Sequence, residues 1–304
     1  MSHFGRCRPL DNAKPRRQDA FTAFEPSAAK ESTRRRNITI ADEVISALDS
    51  NRMLIALQPI VSTVKRQPDL YECLLRMERP DGMLVSAGEF IAIAEQLGLS
   101  RLIDRRTLEL SIDVLNCHPG IHLSVNVSGL TASNHEWLVS LHRLTGGRRS
   151  LTERLTIEIT ETAAIHDLDL TINFVDTLKE LGCRVAIDDF GAGYTSFKNL
   201  QILNVDMVKI DGSFVKNLLL EPTNRVFIKT LVEIAQTFGL DTVAEWVADE
   251  ETAKIVAGCG ITHMQGYLFG RPLMATDLPV NTVTAGTGTF IRANTSLGQR
   301  PARA

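Results

Sequence analysis

Cysteine is scarce in this 304-residue chain. Its five copies, Cys7, Cys73, Cys117, Cys183 and Cys259, are scattered, odd in number and form no C-x-x-C pair. That excludes a disulfide framework and a thiolate zinc site, and leaves reduced packing thiols. Long apolar runs are also missing: stretches such as "FIAIA", Phe90 to Ala94, are far too short to span a bilayer. The N-terminus has no apolar block to serve as a signal-peptide core, so a cytoplasmic protein without a transmembrane segment is expected. Neither sign of charge dominates. With a formal net charge of -3, no whole-surface attraction to nucleic acid polymers or anionic membranes is expected.

The 44% hydrophobic and 23% charged composition is enough for a sizeable core. Residues 1–37 carry "KPRRQD" and "STRRRN" with little periodic apolar content, and read as a basic, mobile tail. From residue 281 to 304 the chain is rich in Thr, Gly, Ala and Arg, and reads as weakly ordered. Between them, residues 38–280 show no composition break. One domain of about 240 residues fits, the usual size of an eight-fold β/α barrel.

Eight β-branched runs support that reading: Met53–Val61, Tyr71–Met77, His122–Ser128, Leu155–Glu161, Arg184–Phe190, Met207–Asp211, Asp241–Val247 and His263–Phe269. Helical patterns separate most of them, including "GEFIAIAEQLGLSRLIDRRTLELSIDVL", "DLTINFVDTLKELG", "NRVFIKTLVEIAQTFG" and "DEETAKIVAGCG". The last three close on the glycine expected just past a helix C-terminus. Only "STVKRQPDL", between the first two strands, is too short for a crossover helix. The expected fold is therefore an α/β, TIM-like (β/α)8 barrel with an antiparallel first strand.

Almost every strand carries a polar residue in an apolar setting: Glu72, Asn126, Glu158, Asp188 with Asp189, Lys209, Glu245 and Gln265. Inward groups near the C-terminal ends of barrel strands converge on one mouth. Five carboxylates there repel one another unless cations neutralise them. Carboxylates with an amide, and no His or Cys, suit a hard ion such as Mg²⁺ or Mn²⁺. Adjacent aspartates allow one carboxylate to bridge two ions while its neighbour holds one of them. Two metals roughly 3.5–4 Å apart form a clamp for in-line displacement at a phosphodiester. Lys209 could orient the attacking water or steady phosphoryl charge. Taken singly, each acid also reads as a solvated or ion-paired side chain, Asn126 as a backbone partner and Lys209 as a structural counter-charge. The joint pattern favours a site.

At these residues the chain resembles the EAL-domain family of bacterial phosphodiesterases, which hydrolyse cyclic di-GMP to linear pGpG. The resemblance runs from about Ile40 to Leu278 through "QPIV", "ECLLR", "FIAIAEQLGL", "SVNVS", "EITE", "DDFGAGYTSF", "VKIDGSFV", "VAEW" and "QGYLFGRPL", in family order. It implies that Glu72, Asn126, Glu158 and Asp188 hold one metal, and that Asp188, Asp189 and Glu245 hold the second. Glu245 is alternatively a general base. Lys209 resembles the lysine that holds the hydrolytic water, Gln265 a supporting glutamine, Arg76 a substrate-phosphate contact and Gln58 a residue near the nucleotide. "GAGYTSF" resembles the family's mobile loop, which takes part in dimerisation and is anchored by a glutamate matching Glu161.

Two positions depart from the family pattern. Cys73 replaces the signature's alanine and, by strand alternation, points away from Glu72 toward the helix layer. The usual "AEGVE" is "AEWVA", with Trp246 for glycine and Ala248 for glutamate, so Trp246 needs room outside the barrel or forms part of a partner surface. The resemblance therefore implies a metal-dependent cyclic di-GMP hydrolase that forms a homodimer, with its input open between the N-terminal tail, the dimer interface and a separate regulatory protein partner. The alternative is a receptor or interaction scaffold that binds cyclic di-GMP without turnover.

Overall fold

The computed structural model describes residues 28–192 and 197–278. The chain divides into two units, Met1–Ile38 and Thr39–Ala304. In the first, the described residues belong to the opening turns of a helix, Ala28–Asp49, with Arg35 Nε 3.3 Å from Glu31 Oε1. Residues 28–37, read above as tail, are thus helical. Their spacing of charges at i and i+4 favours a helix without any apolar period. The remaining tail residues, and those beyond 278, lie outside the described residues.

The second unit is built on a ten-stranded sheet. Its strands are β1 (Met53–Ser62), β2 (Pro68–Glu78), β3 (Leu84–Ser86), β4 (Leu123–Val127), β5 (Leu155–Thr160), β6 (Arg184–Phe190), β7 (Met207–Ile210), β8 (Asp241–Ala244), β9 (His263–Gln265) and β10 (Leu273–Met274). The parallel run β2-β4-β5-β6-β7-β8-β9 is closed by β1, which pairs antiparallel with both β2 and β9. This is the expected closed barrel with an antiparallel first strand. The strands β3 and β10, missed in the sequence, are only 3 and 2 residues long and extend its rim.

Helices Ala87–Gln96 and Ser100–Cys117 replace the single helical pattern read there, broken at Gly98, whose φ is +73°. Helices Leu168–Leu181, Pro222–Thr237 and Glu250–Gly258 match the other three patterns. Gly182, Gly239 and Gly260 adopt positive φ just past them, as expected.

Two apolar layers position the site. Outward-facing strand residues such as Val125, Ile157, Val185 and Val208 join the helix faces in one large core. A smaller cluster of Ile60, Leu70, Ala186, Met207 and Val243 comes from five different strands and fills the barrel interior. Side chains alternate along a strand, so residues two positions away point inward as well. From this floor the next inward positions are Gln58, Glu72, Asp188, Lys209 and Glu245. An apolar floor below and a polar ring above follow from the same period of two.

Candidate active site

Lys209 stands at the centre of that ring and is wholly buried. Its Nζ lies 2.8 Å from Glu245, 2.9 Å from Glu158, 3.1 Å from Asp188 and 3.5 Å from Glu72. These side chains come from β2, β5, β6, β7 and the residue after β8, so the strand ends do converge. Burial opposes a charge on Lys209, but Asp188, Glu158, Glu245 and Glu72 together hold its pKa well above the ordinary value.

One ammonium cannot balance so many acids. Burial, reinforced by Glu72 and Asp188, pushes Glu158 up to about 8 despite the lysine. Burial likewise raises Glu245 to about 7, with Asp188 and Glu72 adding to it. Asp189 is raised by burial and by Asp188 and Asp211. Burial also works against Glu72, but Lys209 and the amides of Gln265 and Asn126 outweigh it and lower its pKa.

The amides fix the carboxylates. Asn126 Nδ2 donates to Glu72 Oε1 at 2.8 Å, and Gln265 Nε2 donates to Glu72 Oε2 at 2.6 Å and to Gln58 Oε1 at 3.3 Å. Ser124, passed over in the sequence, donates to Glu158. Its signal was its place two residues before Asn126, on the same strand face.

Strand alternation should send Asp188 and Asp189 to opposite faces. Instead the β6–β7 register shifts between Ile187 and Phe190, and Asp189 takes a φ of +55°. Such an irregularity re-aims a side chain. As a result Asp188, Asp189 and Glu245 each present an oxygen within 4.8 Å of the others, a group able to hold a metal ion. Among the described residues, the buried oxygens Asp188 Oδ1 and Gln265 Oε1 have no hydrogen-bond partner. For Asp188 the lysine is near enough for charge attraction but not aligned to donate. An acceptor left open beside surplus carboxylates is what a hard cation requires. The donor set therefore fits a divalent ion.

Glu72, Glu158 and Asp188 are brought together around Lys209, and Asn126 joins them through Glu72. The ring opens into a cavity of about 590 Å³ lined by Gln58, Glu72, Asp188, Glu245, Trp246 and Tyr267, among others. Arg76 lies two and four residues beyond Leu74 and Glu72 on one face of β2. Its guanidinium is half-buried, donates to the Leu75 carbonyl at 2.9 Å, and feels Tyr267 and Glu72 electrostatically. Glu161, buried at the start of helix Glu161–His166, accepts from the Gly191 backbone N–H at 2.8 Å. This ties it to the beginning of the loop; residues 193–196 of "GAGYTSF" lie outside the described residues. Cys73 does point to the helix layer, within 3.6 Å of Ser111 Oγ.

The family model for the EAL domain matches residues 41–272. The chain is 31% identical over 239 residues to cyclic di-GMP phosphodiesterase PdeF of Escherichia coli, covering 77% of this chain and 32% of that protein. It is 32% identical over 251 residues to cyclic di-GMP phosphodiesterase PdeB of Shewanella oneidensis, covering 80% of this chain and 29% of that one. The chain thus spans about a third of the length of these curated relatives. Among solved structures, the PaMucR phosphodiesterase in complex with c-di-GMP superposes with a TM-score of 0.73 at 27% identity, covering 77% of this chain and 97% of that one. The FimX EAL domain from Pseudomonas aeruginosa bound to c-di-GMP gives a TM-score of 0.72 at 29% identity, covering 81% and 99%. No helix among the described residues is long and apolar enough to cross a membrane. With the barrel, the acid-lined mouth and this match over most of its length, the chain belongs to the EAL domain family.

Proposed function

We propose that the chain hydrolyses cyclic di-GMP to linear pGpG in the cytoplasm with the help of two divalent cations, Mg²⁺ or Mn²⁺. The observation that carries this reading is the surplus of carboxylates around Lys209, with Asp188, Asp189 and Glu245 close enough to share an ion. The names of the relatives support the same substrate. Asp188, Asp189 and Glu245 would hold one cation, and Glu72, Asn126, Glu158 and Asp188 the other. Bound there, the cations supply electrophilic stabilisation of the phosphodiester and of the oxygen that departs from it.

The chain's own groups do the rest. Lys209 keeps its proton and orients a water by donating an N–H to it. Glu245, 2.8 Å from that ammonium, either completes the ligands of the cation held by Asp188 and Asp189, the water's proton then passing to solvent, or serves instead as the general base that accepts it. The water oxygen bonds to phosphorus, the bond to the 3′ oxygen breaks, and that oxygen takes up a proton to become a hydroxyl. Asn126 and Gln265 keep Glu72 oriented throughout, while Arg76 and Gln58 contact the nucleotide. Assembly as a homodimer, and control by a regulatory protein, belong to the same reading.

Purified protein incubated with cyclic di-GMP and Mn²⁺ should yield pGpG by chromatography, and Asp188→Asn should lower the rate by orders of magnitude while the fold persists. Tight nucleotide binding with the cyclic form intact after hours would overturn hydrolysis and make the chain a receptor.

A further inference from the structure

Trp246 lines the cavity, and the hydrolytic chemistry leaves it unused. It follows Glu245 directly and has a backbone φ of +57°, a region that bulky residues seldom occupy. Part of its ring rests on Gly212. A Cβ added there would fall 2.4 Å from the indole Cγ, so any other residue in place of Gly212 would displace the ring. Lys216, four residues further along helix Gly212–Lys216, sets its Nζ 5.5 Å from the ring centroid. Even so, 59% of Trp246 remains exposed. Both Trp246 and Lys216 line the cavity that contains Glu72, Asp188 and Glu245.

These features belong together. Backbone strain persists where the surroundings fix it, and it gathers at ligand sites. Here it holds a flat aromatic ring open to the cavity, beside the strand ends where phosphodiester chemistry is placed. A cation near the ring favours a phosphate-bearing ligand, and aromatic faces stack nucleobases without needing hydrogen-bond registry. A cavity of about 590 Å³ admits a small planar ligand and not a protein surface.

We propose that Trp246 is a specificity-determining residue of this chain, stacking one purine base of the cyclic dinucleotide with Lys216 alongside. The proposal rests on the phosphodiesterase reading above. Stacking acts on binding of the whole nucleotide and leaves the bond-breaking step untouched, so its loss raises KM and spares kcat.

The test compares wild type, Trp246→Gly and Trp246→Phe with cyclic di-GMP and Mn²⁺. Glycine is at ease at this φ, so the first variant should fold. Its KM should rise roughly 5- to 100-fold, the range that losing one base stack allows, with kcat changed by less than about twofold. Trp246→Phe should recover most of the loss. A second readout needs no metal. The chain has two tryptophans, and Trp137 is buried, so cyclic di-GMP added in EDTA should quench Trp246 fluorescence and leave Trp246→Phe without that signal. An unchanged KM in Trp246→Gly, or a fall in kcat alone, overturns the stacking role while wild-type turnover keeps the phosphodiesterase reading intact. Wild-type protein that neither binds nor hydrolyses the nucleotide overturns both.

Discussion

Lys209 and Glu158 meet at 2.9 Å with neither side chain open to water. Without the lysine, Glu72, which Lys209 helps keep ionised against burial, would be a buried acid short of its counter-charge, and Asp188 and Glu245 would lose the same neighbour. Removing one member of a buried pair costs about 3–5 kcal/mol. Lys209→Met should therefore lower the unfolding free energy by roughly that amount in metal-free buffer, read from urea denaturation. It should also abolish turnover. If the variant unfolds at the wild-type urea midpoint, the lysine is not the counter-charge that the distances describe.

The same surplus of acid makes the metal-free fold sensitive to alkali. Glu158 is pushed up to about 8 and Glu245 to about 7 from an ordinary value of 4.5, chiefly by burial. Both bind a proton more tightly folded than unfolded. Their contribution to stability is complete below about 4.5 and is lost as pH rises through 7 and 8. Thermal midpoints in EDTA should therefore fall between pH 5 and pH 8, since each tenfold tightening of proton binding in the folded state is worth about 1.4 kcal/mol. Glu158→Gln should flatten the slope because it fixes the neutral form. Mn²⁺ should flatten it too and release protons on binding, which a weakly buffered titration detects.

Much of this arrangement was legible because barrel strands have a period of two. Leu70 and Glu72, Ala186 and Asp188, Met207 and Lys209, and Val243 and Glu245 each pair a floor residue with a site residue, and the alternation is visible in the sequence. The antiparallel first strand followed from a connection too short to hold a helix. Asp189 was singled out by its place beside Asp188 and by the family motif, not by alternation. Its turn toward Glu245 depends on a register shift between β6 and β7, which is a relation between two strands and leaves no local signal. The helix from Ala28 was missed for the opposite reason: charges, with no apolar stripe, mark its first turns.

Glu161 carries a prediction about the loop after β6. Its carboxylate, 2% exposed, accepts from the Gly191 N–H, and a hydrogen bond to a buried charged group contributes roughly 1.5–3 kcal/mol. Glu161→Ala should destabilise the chain within that range. More tellingly, hydrogen exchange at Gly191 should speed up by a larger factor than exchange in β4 or β5. If exchange rises equally everywhere, Glu161 supports the fold at large and does not anchor the loop.

Cys73 occupies the position beside Glu72 that invites a redox role, and the geometry argues against one. Alternation turns its sulfur away from the acids and into the helix layer, beside Ser111. Burial raises its thiol to about 12, and the nearby charges of Glu72 and Glu158 push in the same direction. Only the thiolate attacks electrophiles, so at pH 8 the reactive fraction is negligible even where reagent could reach it. Iodoacetamide applied to the native protein should label exposed Cys117 and leave Cys73 unmodified by peptide mass spectrometry. Cys73→Ala should then retain wild-type turnover, because the removed sulfur sits beside Ser111 in the helix layer. Labelling of Cys73 before the protein unfolds, or loss of turnover in Cys73→Ala without loss of stability, would place the thiol in the chemistry after all.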